Sequence, residues 1–154
     1  MFRLKFLPAT IGDSIWVSYG DPHNAHHILI DGGTRGTSHR IQQELNALPP
    51  SQRKFELMVV SHIDKDHIGG ILTLLQNREV DFQIEDFWFN AFRHLPVDDD
   101  DDQLISVEQG EQLTTELVDQ AIVWNAAFGP SGRKAVVIPD TGPLPRVTLA
   151  GGCS

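Results

Sequence analysis

The chain has 154 residues, with 12 lysines and arginines against 21 aspartates and glutamates, a formal net charge of −9. A length in that range suits one domain over residues 1–154. The acidic balance argues against a broad basic surface for nucleic acid, because neutralising phosphates needs clustered Lys and Arg. Cys153 is the only cysteine, so no internal disulfide can form. That fits a reducing, cytoplasmic setting. No apolar run reaches the ~18 residues of a membrane span, so no membrane partner is expected.

The first thirty residues read as strands and turns. Ile15-Trp16-Val17 and His27-Ile28-Leu29-Ile30 are short β-rich runs, separated at Gly20-Asp21-Pro22. His26 and His27, as neighbours in a strand, point to opposite faces, and at least one is expected to face solvent. The second run stops at Asp31-Gly32-Gly33, where paired glycines allow a tight turn. Asp31 has two readings there: a group steadying a nearby metal loop, or a turn residue bonding its own backbone. A helix follows, with Ser38 as N-cap and Ile41, Leu45 and Leu48 on one face, until Pro49-Pro50 stops it.

Phe55 to Val60 is a near-continuous apolar run, as in a buried strand. A helix is expected from Ile68 to Gln76, carrying Ile68, Ile71, Leu72 and Leu75. Val80–Ile84 and Asp86–Asn90 read as two further strands. Asp98 to Asp102 are five consecutive aspartates, read as a solvated loop rather than a calcium site, since the alternating spacing is missing. Ser106-Val107-Glu108-Gln109 has a capping-box pattern that opens a helix through Leu113, Leu117 and Val118. Ala135–Ile138 and Arg146–Leu149 read as closing strands. Helices and strands alternate, which predicts an α/β fold.

Chemistry concentrates in one place. His62, Asp64, Asp66 and His67 put four candidate ligands within six residues, directly after the buried strand. The end of a strand in an open α/β sheet faces the crevice where ligands bind. Imidazole with carboxylate suits zinc, with manganese or iron as further candidates, and one or two ions can be served. Gly69-Gly70 lets the next helix approach closely. The plain alternative is a polar loop of helix-capping acids. No nucleophile-elbow pattern is present, so a serine or cysteine nucleophile is not indicated.

The string Ser61-His62-Ile63-Asp64-Lys65-Asp66-His67-Ile68-Gly69-Gly70 resembles the metal-binding motif of the metallo-β-lactamase fold superfamily. The usual pattern is His-x-His-x-Asp-His; Asp64 replaces its second histidine. That variant is similar to the metallohydrolase domain of ComEC-type DNA-uptake proteins. Gly12-Asp13-Ser14, Ile28 to Gly33, and Asp86-Phe87-Trp88-Phe89-Asn90 resemble neighbouring strands of the family. The resemblance covers roughly residues 1 to 95.

It implies an αββα sandwich, of which this chain resembles the N-terminal half. It also implies a metal-dependent, zinc-type hydrolase in which the metal activates water. His62 and Asp64 would hold one ion and Asp66 and His67 a second, with Asp66 also able to orient water. The implied substrate is a small molecule or a phosphodiester. The family's bridging aspartate and later histidines have no convincing equivalent: Asp140 lacks the Gly-Asp context, and His94 reads as a loop residue. A non-catalytic fragment, or a metal-binding or interaction module, is therefore the alternative. Only five residues follow Val147-Thr148-Leu149, so the end at Gly151-Gly152-Cys153-Ser154 reads as a cut, and such a last strand would leave an open sheet edge that invites self-association.

Overall fold

The structure is a computed structural model that describes residues 1–94, 104–130, 134–136, 141–143, 146–149 and 151–152, without the side chains of 104–107. It is a mixed α/β fold built on one five-stranded sheet. The strands are β1 (Phe2–Phe6), β2 (Ile15–Asp21), β3 (Asn24–Ile30), β4 (Lys54–Val59) and β5 (Gln83–Trp88). They lie in chain order across the sheet. The first three form an antiparallel meander, whereas β3, β4 and β5 run parallel. Parallel neighbours need a crossover connection, and α1 (Thr37–Ala47) and α2 (Lys65–Gln76) supply the two required here. A third helix, α3 (Leu104–Asp119), lies against α2.

All three helices cover one face of the sheet. Trp16, Leu29, Met58 and Phe87 from the strands meet Ile41 and Leu45 of α1, Ile68, Ile71 and Leu75 of α2, and Leu113 and Leu117 of α3. Phe55, Phe87 and Ile71 are completely buried; each such side chain contributes roughly 1.5–3 kcal/mol on leaving water. The opposite face carries a smaller cluster of Val17, Tyr19, Ile28 and Leu57, with Leu149 packed on it. Among the described residues no α-helix covers that second face, where only the short 3-10 turn Ala126–Phe128 sets Phe128 against Trp88, whereas the implied sandwich has helices on both outer layers. Nor is any described helix long and apolar enough to cross a membrane.

Element boundaries differ from the sequence reading where side chains act on neighbouring loops. Ser38 is inside the first turn of α1, not its cap; Gly36 caps, and the Ser38 hydroxyl donates to the Arg35 carbonyl. In place of the two expected strands Val80–Ile84 and Asp86–Asn90 there is one shorter strand, β5, which runs unbroken from Gln83 to Trp88 and leaves Val80–Phe82 and Phe89–Asn90 outside it. Ala135 and Val136 do not join the sheet. The Val136 backbone bonds instead to the side-chain amide of Asn90, at 2.7 and 2.9 Å, which takes the place of a strand partner. Residues 146–149 are likewise not a strand, so no open edge arises there. The aspartate run, Asp140 and Cys153 lie outside the described residues.

α2 begins three residues earlier than its apolar pattern suggests, because the polar Lys65-Asp66-His67 can occupy a first turn whose N–H groups favour acids. This places Asp66 and His67 on the helix and leaves His62 and Asp64 ahead of it, with Asp64 as N-cap.

Candidate metal centre

Three loops meet where β3 and β4 end. Because these strands are parallel neighbours, Ile30 standing beside Val59, the residues that follow each strand emerge side by side. The turn after β3 is tied to the start of α2 by Gly32 N–H to the His67 carbonyl, 2.7 Å, and Gly70 N–H to the Gly33 carbonyl, 2.9 Å. Glycine is required at this crossing. A Cβ on Gly70 would stand 1.8 Å from the Gly32 carbonyl oxygen, and one on Gly32 would stand 2.3 Å from the Ile71 nitrogen. Gly12, at φ +78°, brings the first loop equally close to Asp66. The paired glycines are a backbone crossing.

Asp31 is the buried centre of this junction, in a left-handed conformation with φ 57° that is uncommon outside glycine. Its backbone N–H donates to the Val59 carbonyl. Its carboxylate does not turn back on its own chain. One oxygen accepts the Ser61 backbone N–H at 2.7 Å. The other accepts the Ser61 hydroxyl at 2.5 Å and lies 3.0 Å from His67 Nδ1. Of the two readings the sequence left open for Asp31, the structure supports the one that steadies the loop.

The histidines converge. The ring centroids of His62 and His67 are 4.9 Å apart, although one residue precedes α2 and the other lies in its first turn. Donor atoms of Asp31, His62 and His67 all lie within 4.8 Å of one another, a group that can hold a metal ion. A tetrahedral shell with bonds of about 2.0–2.1 Å puts neighbouring donors roughly 3.3 Å apart. The grouped donors are spread somewhat more widely than that, and the exposed His62 has room to close the gap. Asp66 is adjacent, 3.9 Å from His67 Nε2. Asp64 is exposed at the helix cap and is not among the grouped donors.

Burial pulls the His67 pKa down. The hydrogen bond that His67 donates to Asp31 and the charges of Asp31, Asp66 and Asp13 outweigh it, and the net direction is up. The same negative charge that favours a proton on His67 favours a cation beside it.

Nothing in the spacing of the Ser61–Gly70 string singles out Ser61, yet both its hydrogen-bonding groups hold Asp31. Its oxygen is also 2.8 Å from His62 Nδ1. This is not a nucleophile arrangement, in which the histidine stands between serine and carboxylate; here the serine stands between them. His94 lies elsewhere, in a short turn with its ring tilted on Trp124. Comparison of the chain with protein-family models, with curated proteins and with solved structures finds no match.

Proposed function

We propose that this protein is a metal-dependent hydrolase of the metallo-β-lactamase type, with its metal centre at the junction of Asp31, His62 and His67. The observation that carries this reading is the buried Asp31 carboxylate at 3.0 Å from His67 Nδ1, beside a second histidine ring. A metal-binding histidine usually gives its other ring N–H to a carboxylate, which fixes the tautomer and aims the remaining nitrogen. Asp31 does this for His67. The nitrogen left for the ion is Nε2, on the side of Asp66.

In this reading His62 and His67 are the nitrogen donors, and Asp66 and Asp64 are the carboxylates drawn to the cation, zinc being the best match to that donor set. Such an ion supplies a lowered water pKa and polarises a carbonyl or phosphoryl oxygen. The chain's own residues do the positioning. Ser61 holds Asp31, Asp31 orients His67, and the glycine crossing keeps α2 against the turn after β3. Asp66, partly exposed at the helix start, is placed to orient a water.

The substrate class follows from the resemblance alone and is a phosphodiester or a small ester or amide. A second reading has a specific observation behind it: among the described residues only three donors group together, fewer than a two-metal catalyst uses. On that reading the chain binds one ion without turnover.

Two measurements separate these. Metal content after loading with zinc or manganese should fall sharply in a His62→Ala, His67→Ala double variant; equal content would sink both readings. Chelator-sensitive hydrolysis of a generic phosphodiester supports the enzyme, and its absence in the metal-loaded protein leaves the binding module.

A further inference from the structure

A second polar constellation lies on the helix-covered face of the sheet, near the end of α1 remote from the glycine crossing. Strand register builds it. Arg3 stands beside Ser18, and Ser18 beside His27, so three polar side chains form a row across β1, β2 and β3 on one face. They line a cavity of about 250 Å³ together with Lys5, Trp16 and Glu44.

His27 is the informative member. It is 3% exposed, and its Nδ1 lies 3.1 Å from Trp16 Nε1 and 3.0 Å from the Ser18 hydroxyl. An indole N–H only donates, so Nδ1 must accept and the ring proton of neutral His27 sits on Nε2. Burial, and then the neighbouring His26, hold the His27 pKa below its ordinary value, which keeps the ring neutral. The Nε2 atom is buried and has no hydrogen-bond partner among the described residues. A buried donor without an acceptor is costly and uncommon in a native fold.

The charges around the cavity are unequal. Lys5 is paired with Glu44 at 2.6 Å. The Arg3 guanidinium makes no hydrogen bond or ion pair among the described residues. In a chain of net charge −9, Arg3 and the Met1 ammonium, which donates to the Gly20 carbonyl, leave a local surplus of positive charge on the cavity that His27 also lines. We propose that the cavity is a binding site for a small oxyanion group, carboxylate or phosphate, which accepts the His27 Nε2–H and pairs with Arg3. Its volume admits one small anionic group and excludes a folded partner. The row lies on β3 ahead of Asp31, so it is separate from the metal centre and does not depend on it.

The test is titration of metal-stripped protein with inorganic phosphate and, separately, with acetate, followed through the His27 ring nitrogens by NMR. Saturable movement of the Nε2–H signal is expected with at least one anion, and the tighter of the two names the group. Arg3→Gln, an exposed position on an edge strand, should weaken that binding about tenfold. Arg40→Gln, on the outer surface of α1, should leave it unchanged, as should His62→Ala in the metal centre. Absence of saturable movement with both anions, or equal affinity in Arg3→Gln and the parent, would overturn the proposal.

Discussion

Asp31 after β3 and Glu56 within β4 are both buried carboxylates, 3% and 4% exposed, and each holds a histidine. Around Glu56 the partners close the site. The Tyr19 hydroxyl donates to one oxygen and His26 Nδ1 lies 2.5 Å from the other. The Tyr19 and His26 rings stack at 5.4 Å, and Gly151 is so close that a Cβ there would meet both. His27 is buried on the helix-covered face, whereas His26, on the opposite face, keeps its side chain 32% exposed, as their adjacency in a strand leads one to expect. Around Asp31 the partners open outward: His67 is held at Nδ1, and the ring of exposed His62 stands beside it. A buried carboxylate bonded to histidine is common to both regions. The second donor at the surface is what gives the Asp31 region a group that could hold a metal ion and leaves the Glu56 region a polar pair.

The largest effect expected is from Gly70→Ala. The new Cβ meets backbone, not a flexible side chain, so about 3 kcal/mol of stability should be lost. Chemical denaturation should show this, with metal binding lost in parallel and the Tyr19–Glu56–His26 group undisturbed until global unfolding. His62→Ala should weaken zinc affinity roughly a hundredfold, the share of one ligand in a structural zinc site. Because His62 is exposed, stability without metal should change by less than about 0.5 kcal/mol. Calorimetry and thermal unfolding together check the pair of values.

Replacing the two buried carboxylates sharpens the contrast. Asp31→Asn should lower zinc affinity about 10–100-fold, as expected when a group orienting a ligand is altered. Glu56→Gln should cost about 1–3 kcal/mol of stability and leave zinc affinity unchanged. Equal effects of both variants on zinc would remove the distinction between the regions.

The smallest effect concerns pH. His67 has a raised pKa in the fold. The stability it contributes without metal is therefore fully present below its ordinary value of 6.5 and is lost as pH rises through the raised value. Zinc affinity should move the other way, rising over the same window as the competing proton leaves. A thermal-unfolding series across pH 5 to about 9 tests both signs, and Asp31→Asn should flatten the metal-free profile.

Periodicity made the helix faces and the central strands legible. Ile41 and Leu45 of α1, and Ile68, Ile71, Leu72 and Leu75 of α2, are buried as their spacing requires. The apolar run at Phe55 marked β4 to within a residue. Failures occurred where a side chain replaces a backbone partner, as Asn90 does for Val136, since such substitution leaves no periodic trace. Ser61 was missed for a similar reason: its importance lies in bonding a residue thirty positions away.

By itself, then, the sequence determined the α/β class, the parallel strand leading into a ligand-bearing loop, and the need for glycine beside it. Those are local matters of period, polarity and backbone freedom. Only the tertiary structure decided that β3 and β4 are parallel neighbours, which sets Asp31 beside Ser61 and His67 and makes of Asp31, His62 and His67 a group that could hold a metal ion. Spacing along a chain cannot encode that choice, because a metal shell is built from distances in space. Strand order together with the glycine crossing brings residues 31 and 67 within hydrogen-bonding reach.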